Sequence, residues 1–462
     1  MLFNSYIFFI FLAIVLPVFY GIKNQSWKKI WILLSSLFFY AYWDWRFLGL
    51  LLFSIITTYF LGKKIAQNES QAKKWLILGI LINVLILGFF KYYGFFIDSF
   101  TRFSQNLGVS VDFLHLNIIL PIGISFYTFQ SIAYLVDVYK KECSAQYAFL
   151  DFSLFISFFP QLVAGPIERA HRILPQFEQK LLPTKTQIKE GIYLIVIGLF
   201  QKVMIGDTCG RIVDAVFLDF KHYATFEIIS ATLLFSIQIY ADFAGYSNMA
   251  RGVAKLMGID LMINFKQPYG SVNISEFWKR WHISLSTWLR DYIYIPLGGN
   301  RKGKAITIMN VMIVMALGGI WHGTGWNFIF WGVYHGILLV GFRVFSPRVS
   351  IPSGISIFLT LGLVTIGWFI FRINEPVQLY EFYNSLHHFN MGEFYGRFFK
   401  MTIVFGSVLF LIDWLQIRLK NEAFLMEIKN QSLALGIASG LFFICLIYLL
   451  VKKPLPFIYF QF

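Results

Sequence analysis

MALGGIWHGTGWNFIFWGVYHG, Met315 to Gly336, sets two imidazoles in a long apolar run and surrounds the first, His322, with Gly318, Gly319, Gly323 and Gly325. A helix crossing a hydrocarbon core needs roughly 20 such apolar residues, and an ionisable group at that depth is expensive and a functional candidate by default. The glycines allow close approach of a substrate or a local break in the helix. The stretch reads as membrane-embedded helix carrying a reactive residue, with a hydrogen-bonded packing histidine as the competing reading. His335, beside Gly336 in the next span, reads as packing.

The rest of the chain repeats the apolar theme. Of 462 residues, 57% are hydrophobic and 14% charged, about half the charged share of an ordinary soluble domain. Apolar runs recur near 2–20, 30–43, 46–61, 75–97, 116–138, 189–205, 226–245, 305–321, 326–342, 354–371, 401–418 and 433–450. They predict an all-α polytopic membrane protein of about 11–12 transmembrane helices. The first run lacks a basic start and an A-x-A-like cleavage site, so a retained span is expected rather than a signal peptide.

Charge orients these spans. With the start outside, the basic loops Lys23 to Lys29, Lys63 to Lys74, Lys140 to Lys141, Arg169 to Lys189 and Arg251 to Lys304 all face the cytoplasm, as the positive-inside rule requires. The net charge of +15 then needs no nucleic acid to explain it. By the same parity the C-terminal tail is outside, against a weak opposing pull from Lys452 and Lys453. One membrane-embedded unit is expected, with N-terminal spans over 1–140, a core over about 141–345, C-terminal spans over 346–455 and a tail at 456–462. Cys143, Cys209 and Cys445 lie far apart with no C-x-x-C, which argues for buried apolar thiols over disulfides or a thiolate metal site.

Two apolar stretches do not look like simple spans. DFSLFISFFPQLVAGPIERAHR, from Asp151, contains the helix breakers Pro160, Gly165 and Pro166 and predicts a re-entrant segment, which is tolerated where protein or a water-filled cavity surrounds it. SEFWKRWHISLSTWLRDYIYIPLGGNRKGK, Ser275 to Lys304, spaces Trp278, Trp281, His282, Leu285, Trp288, Leu289 and Tyr292 along one helix face. A helix lying in the cytoplasmic interface is expected there.

Chemistry narrows to few residues. His115, His171, His222, His387 and His388 sit in connecting stretches and read as solvated, leaving His282, His322 and His335. No H-E-x-x-H pattern supports zinc, and no G-x-S-x-G supports a serine hydrolase. A lone histidine suits acyl transfer from a thioester to a hydroxyl. Its reference pKa near 6.5 lets it take the hydroxyl proton, and a thiol of pKa near 8.5 departs without acid assistance. Asp242, in SIQIYADFAGYSNMARG, either pairs with Lys202, Arg211 or Arg251 or orients a histidine; Tyr240, Tyr246, Ser247 and Asn248 add polarity that suggests a wet cavity.

FWKRWHISLSTWLRDYIYIPLGGNRKG and GGIWHGTGWNFIFWGVYHG resemble the membrane-bound O-acyltransferase family, in its bacterial alginate O-acetyltransferase branch. PIGISFYTFQSIAYLVDVY, FFPQLVAGPIERA and QIYADFAGYSNMA are similar to further blocks of that branch, in order along the chain. The resemblance implies two funnels meeting at a histidine-lined centre, with the catalytic histidine on His322 and a second characteristic polar position on His282. It also implies a bacterial cytoplasmic-membrane enzyme with no permanently bound cofactor, taking acetyl from cytoplasmic acetyl-CoA for O-acetylation of a surface polysaccharide finished by an extracytoplasmic partner protein. Ala244 and Asn248 stand where the branch pattern has serine and aspartate, which leaves alginate, peptidoglycan and other wall glycans open as acceptors.

On this reading Lys279, Arg280, Arg290, Arg301 and Lys302 form a cytoplasmic rim attracting the CoA phosphates, with positive-inside anchoring as the plainer alternative. A flippase for an acylated lipid or glycan is the competing class, since broken helices and midplane charges also suit transporters. The tail PFIYFQF, Pro456 to Phe462, carries a single ionisable group, Tyr459. Its F-x-Y-x-x-F pattern resembles a terminal motif of acyl-export systems in which the tyrosine carries the acyl group; otherwise Phe457, Phe460 and Phe462 anchor it and Tyr459 belongs to an aromatic belt.

Overall fold

Hydrocarbon offers no hydrogen bonds to the backbone, so apolar runs fold as helices that satisfy their own N–H and C=O groups. The computed structural model accordingly runs helix to helix from Tyr6 to Phe460, with no strand among the described residues. It describes residues 1–109, 116–163, 165–345, 351–375 and 377–460, without the Phe460 side chain. His115 and Phe462 lie outside the described residues.

Nine helices among the described residues are long and apolar enough to cross a membrane. The expected spans at 2–20, 30–43 and 116–138 fall on shorter helices, Tyr6–Gly21, Gln25–Ala41 and Ile124–Tyr139, of 16, 17 and 16 residues. Others outrun expectation: Ala72–Asn106 and Lys185–Leu218 are continuous over 35 and 34 residues. Each absorbs a π-helical turn, at Gly88–Tyr92 and Gln201–Gly206 respectively, a wider turn that recurs at functional sites.

The chain divides into two compact units. The first comprises Met1, Leu12–Leu182 and Ile259–Leu261. Within it the proline- and glycine-containing stretch forms three short helices, Phe149–Ser157, Phe159–Leu162 and Ala170–Glu178. The break is buried, and its freed backbone finds partners: Phe159 N–H donates to Ser36 Oγ at 3.1 Å. Lys29 pairs with Asp151 at 2.7 Å at the start of the stretch.

The second unit comprises Leu2–Phe11, Pro183–Gly258 and Met262–Phe462. Its axis is Thr225–Lys255, 89% buried over its most apolar window, against 72% for Lys185–Leu218 and 22–39% for the other spans of the unit. These two central helices touch backbone to backbone. A Cβ on Gly245 would lie 2.6 Å from the Gly198 carbonyl oxygen, and one on Gly252 would lie 2.5 Å from that of Gly191. Only glycine permits an approach this close, the device by which membrane helices associate. Lys304–His322 and Trp326–Phe345 form a hairpin built the same way, a Cβ on Gly332 meeting the Met315 oxygen at 2.3 Å.

The expected continuous interfacial helix over Ser275 to Lys304 is instead broken. Ile274–Arg280 and Ile283–Leu289 are separate helices with Trp281 and His282 between them. Asn264 stabilises the break: its carbonyl accepts from Ile283 N–H at 2.9 Å and its side chain from Ser284 N–H at 3.4 Å. A remote segment thus takes up the groups the interrupted helix releases.

The glycine crossing yields a direct prediction. Gly245→Ala forces Cβ against backbone, as overpacking does at a cost of ~1–3 kcal/mol, and lowers the thermal midpoint of the detergent-solubilised protein. Gly362→Ala, where a Cβ meets nothing within 4 Å, leaves that midpoint unchanged.

Candidate active site

His282 is positioned by backbone strain and His322 by a helix end. His282 adopts the left-handed conformation, φ 42° and ψ 54°, which a non-glycine residue holds only where surroundings over-determine it, commonly at functional sites. His322 is the last residue of Lys304–His322, and extended Gly323 follows it. Both imidazoles are buried, at 0% and 3% exposure. Their ring centroids lie 6.3 Å apart.

Tyr459 completes the group. Its ring centroid is 5.1 Å from that of His322 and 6.4 Å from that of His282. Aromatic rings enclose the three: Phe243 meets His282 edge-on at 4.7 Å and Tyr459 at 4.9 Å, while Trp331 meets His322 at 5.0 Å. Trp321 contacts both histidines and Tyr459, at 5.6, 5.1 and 6.4 Å. Among the described residues the Tyr459 hydroxyl has no hydrogen-bond partner, and neither ring nitrogen of His282 bonds to another residue.

Electrostatics follow from this enclosure. Burial lowers the His282 pKa to about 3, so the ring stays neutral through the physiological range, with one N–H donor and one acceptor nitrogen. Burial raises the Tyr459 phenol above its ordinary range, so the phenol keeps its proton unless a base removes it. A nucleophilic hydroxyl, a neighbouring imidazole and a neutral second imidazole are the ingredients of base-assisted acyl transfer.

Phe457 does not anchor the tail at a surface. It is fully buried, packed on Phe243 at 5.2 Å and Tyr246 at 4.9 Å.

Of the three cations expected near Asp242, the partner is Lys202, at 2.7 Å; Lys202 is also 2.7 Å from Asp207. Arg211 instead donates to the Lys453 carbonyl, and Arg251 pairs with Glu422. Tyr240 donates to Asp413 at 2.8 Å. Asn248 donates to Gln201 at 3.1 Å, and both line a cavity with Tyr240, Ser247 and Arg251. Tyr246, grouped with them in the sequence, lies elsewhere, packed on Phe3 and Phe457. Lys279, Arg290, Arg301 and Lys302 are exposed, Arg290 next to Asp291 at 2.7 Å, whereas Arg280 is held by Glu276 at 2.5 Å.

His335 is caged by Trp278, Trp331 and Phe277, at 5.3, 4.9 and 6.2 Å. His171, His222, His387 and His388 are exposed. Asp207, Asp413, Asn4 and Trp321 belong to the site's surroundings without having been singled out in the sequence. For Asp413 a signal existed: it is an acidic residue inside the otherwise apolar run 401–418.

Comparison with known proteins identifies the family of this chain. Residues 37–371 match the sequence profile described as "MBOAT, membrane-bound O-acyltransferase family". The chain is 37% identical to a peptidoglycan O-acetyltransferase of Helicobacter pylori, over 95% of this chain and 92% of that protein. It is 38% identical to a probable alginate O-acetylase AlgI of Pseudomonas syringae pv. tomato, over 96% and 82%. Similarity to a teichoic acid D-alanyltransferase of Bacillus subtilis is weaker, 31% over 55% and 69%. This multi-pass membrane chain is therefore an acyltransferase and belongs to the membrane-bound O-acyltransferase family.

Proposed function

We propose that this acyltransferase takes acetyl groups from cytoplasmic acetyl-CoA, loads them on Tyr459, and supplies them for O-acetylation of a wall polysaccharide outside the bacterial cytoplasmic membrane. The observation that carries this reading is the 5.1 Å approach of the Tyr459 ring to that of His322. Acetyl is favoured over D-alanyl because the acetylating relatives match 95–96% of the chain and the D-alanyltransferase 55%. Acceptors named for those relatives, peptidoglycan and alginate, set the class of glycan expected here.

In the loading step the Tyr459 oxygen attacks the thioester carbonyl carbon while His322 accepts the phenolic proton. The C–S bond breaks and the imidazolium returns the proton to the CoA thiolate, leaving free CoA and an acetyl-tyrosine ester. His282, neutral and with neither nitrogen bonded to another described residue, donates its N–H to the thioester oxygen as negative charge develops there. A phenol of pKa near 10 is close to a thiol near 8.5, so the ester keeps much of the thioester's transfer potential. An extracytoplasmic partner protein then moves the acetyl to a sugar hydroxyl and returns a proton to the phenol. Lys279, Arg290, Arg301 and Lys302, exposed and basic, and half-buried Arg280 attract the CoA phosphates beforehand; Arg280 and Arg290 also pair with Glu276 and Asp291.

His322→Ala, folded and membrane-inserted, loses on the order of 10²–10⁴ in rate, the usual worth of a general base, as measured by labelled acetyl transfer from acetyl-CoA. Full transfer by that variant removes His322 from the mechanism. With Tyr459→Phe, which keeps the ring and removes the hydroxyl, mass spectrometry finds no acetylated C-terminal peptide and glycan acetylation stops while acetyl-CoA still binds. Normal glycan acetylation in Tyr459→Phe rules out the relay. Lys279→Glu combined with Arg290→Glu raises KM for acetyl-CoA and leaves kcat near wild type; an unchanged KM returns these residues to simple topological anchoring.

A further inference from the structure

We propose that Lys202, Asp207, Asp242 and Asn4 form a receptor for the backbone of Leu455–Ile458, and that this receptor positions Tyr459 beside the two histidines. The inference rests on the relay reading of Tyr459, but it concerns how the tail is held rather than what it carries.

The contacts engage four main-chain groups of the tail. Leu455 N–H donates to Asp207 Oδ2 at 3.3 Å, and the Leu455 carbonyl accepts from Asn4 Nδ2 at 3.0 Å. Pro456 has no N–H to satisfy, and its carbonyl lies 3.4 Å from Lys202 Nζ. Ile458 N–H donates to Asp242 Oδ2 at 2.8 Å. Asn4 also donates to Asp207 Oδ2 at 3.1 Å, tying the N-terminal segment into the same cluster. Lys202, Asp207 and Asp242 are each at most 2% exposed, so no water substitutes readily for these partners.

Charge makes the arrangement selective for an occupied state. One ammonium faces two carboxylates, and a buried charge must be paired and hydrogen-bonded to be tolerated. Lys202 bridges one oxygen of each aspartate. The second oxygen of each accepts a tail N–H, a charge-assisted bond stronger than a neutral one. Tail withdrawal strips a donor from both carboxylates together. Because the bonds go to main chain, the receptor fixes the register of the segment that leads into the Ile458–Phe460 turn, and the register puts residue 459 at His322.

Alkylation of a tail thiol in the full-length protein measures this directly and requires no acetyl-CoA. In the Ile458→Cys protein the introduced thiol, at a site 1% exposed, reacts slowly with maleimide, followed by mass spectrometry of the C-terminal peptide. Adding Asp242→Asn or Asp207→Asn accelerates its alkylation about tenfold or more, the consequence of weakening charge-assisted bonds. The buried thiols of Cys143 and Cys445 keep their slow rates, and Asp413→Asn, away from the tail, changes nothing. Asn4→Ala, which alters no charge, gives a severalfold rise and serves where an aspartate variant fails to fold. Unchanged rates in folded aspartate variants and in Asn4→Ala overturn the receptor, as does an equal rise in Asp413→Asn. Failure of the relay appears separately, as continued glycan acetylation in Tyr459→Phe.

Discussion

A lysine ammonium shared between two aspartates inside an apolar bundle is the constraint on which the rest of the active unit depends. Lys202, Asp207 and Asp242 reach one another because the helix carrying the first two widens into a π turn at Gln201–Gly206 and because Gly198 and Gly245 bring the two central helices into backbone contact. Buried charges tolerate no slack. The cluster therefore fixes the relation between these helices, and the relation fixes Phe243, which stands one residue beyond Asp242 and packs against both His282 and Tyr459. Structural and chemical roles meet on adjacent residues of one helix.

Much of the fold is legible in the sequence because hydrocarbon leaves a backbone so few options. Apolar length alone locates most of the helices. What escapes is how each begins, bends and ends. Trp278, Trp281, His282 and Leu285 obey helical spacing, yet the helix breaks at His282, since the partner that stabilises the break is Asn264, a residue whose significance is tertiary. Continuity beyond the second π turn is equally silent in hydropathy, since the apolar run 189–205 ends inside it.

The candidate site divides the same way. His322, His282 and Tyr459 stand out by chemistry, each a reactive group in apolar surroundings. Their convergence is not legible, because the tail's place depends on a bond between Ile458 and Asp242 spanning 216 residues. Asp242 itself illustrates the limit: Lys202, Arg211 and Arg251 were equivalent partners by sequence, and only packing decided among them. Arg211 went to a tail carbonyl and Arg251 to Glu422. No reading of residue types separates three cations that a fold assigns to three different duties.

The glycine crossing of Lys185–Phe200 with Thr225–Lys255 has a mechanical side. Backbones that touch at two levels seven residues apart, Gly191 with Gly252 and Gly198 with Gly245, act as a rivet with two pins: neither helix can roll or slide on the other without the pair first separating. Motion needed for turnover is thereby displaced to segments tethered by hydrogen bonds rather than by interlocked backbones. The tail is such a segment, hung from a fixed frame.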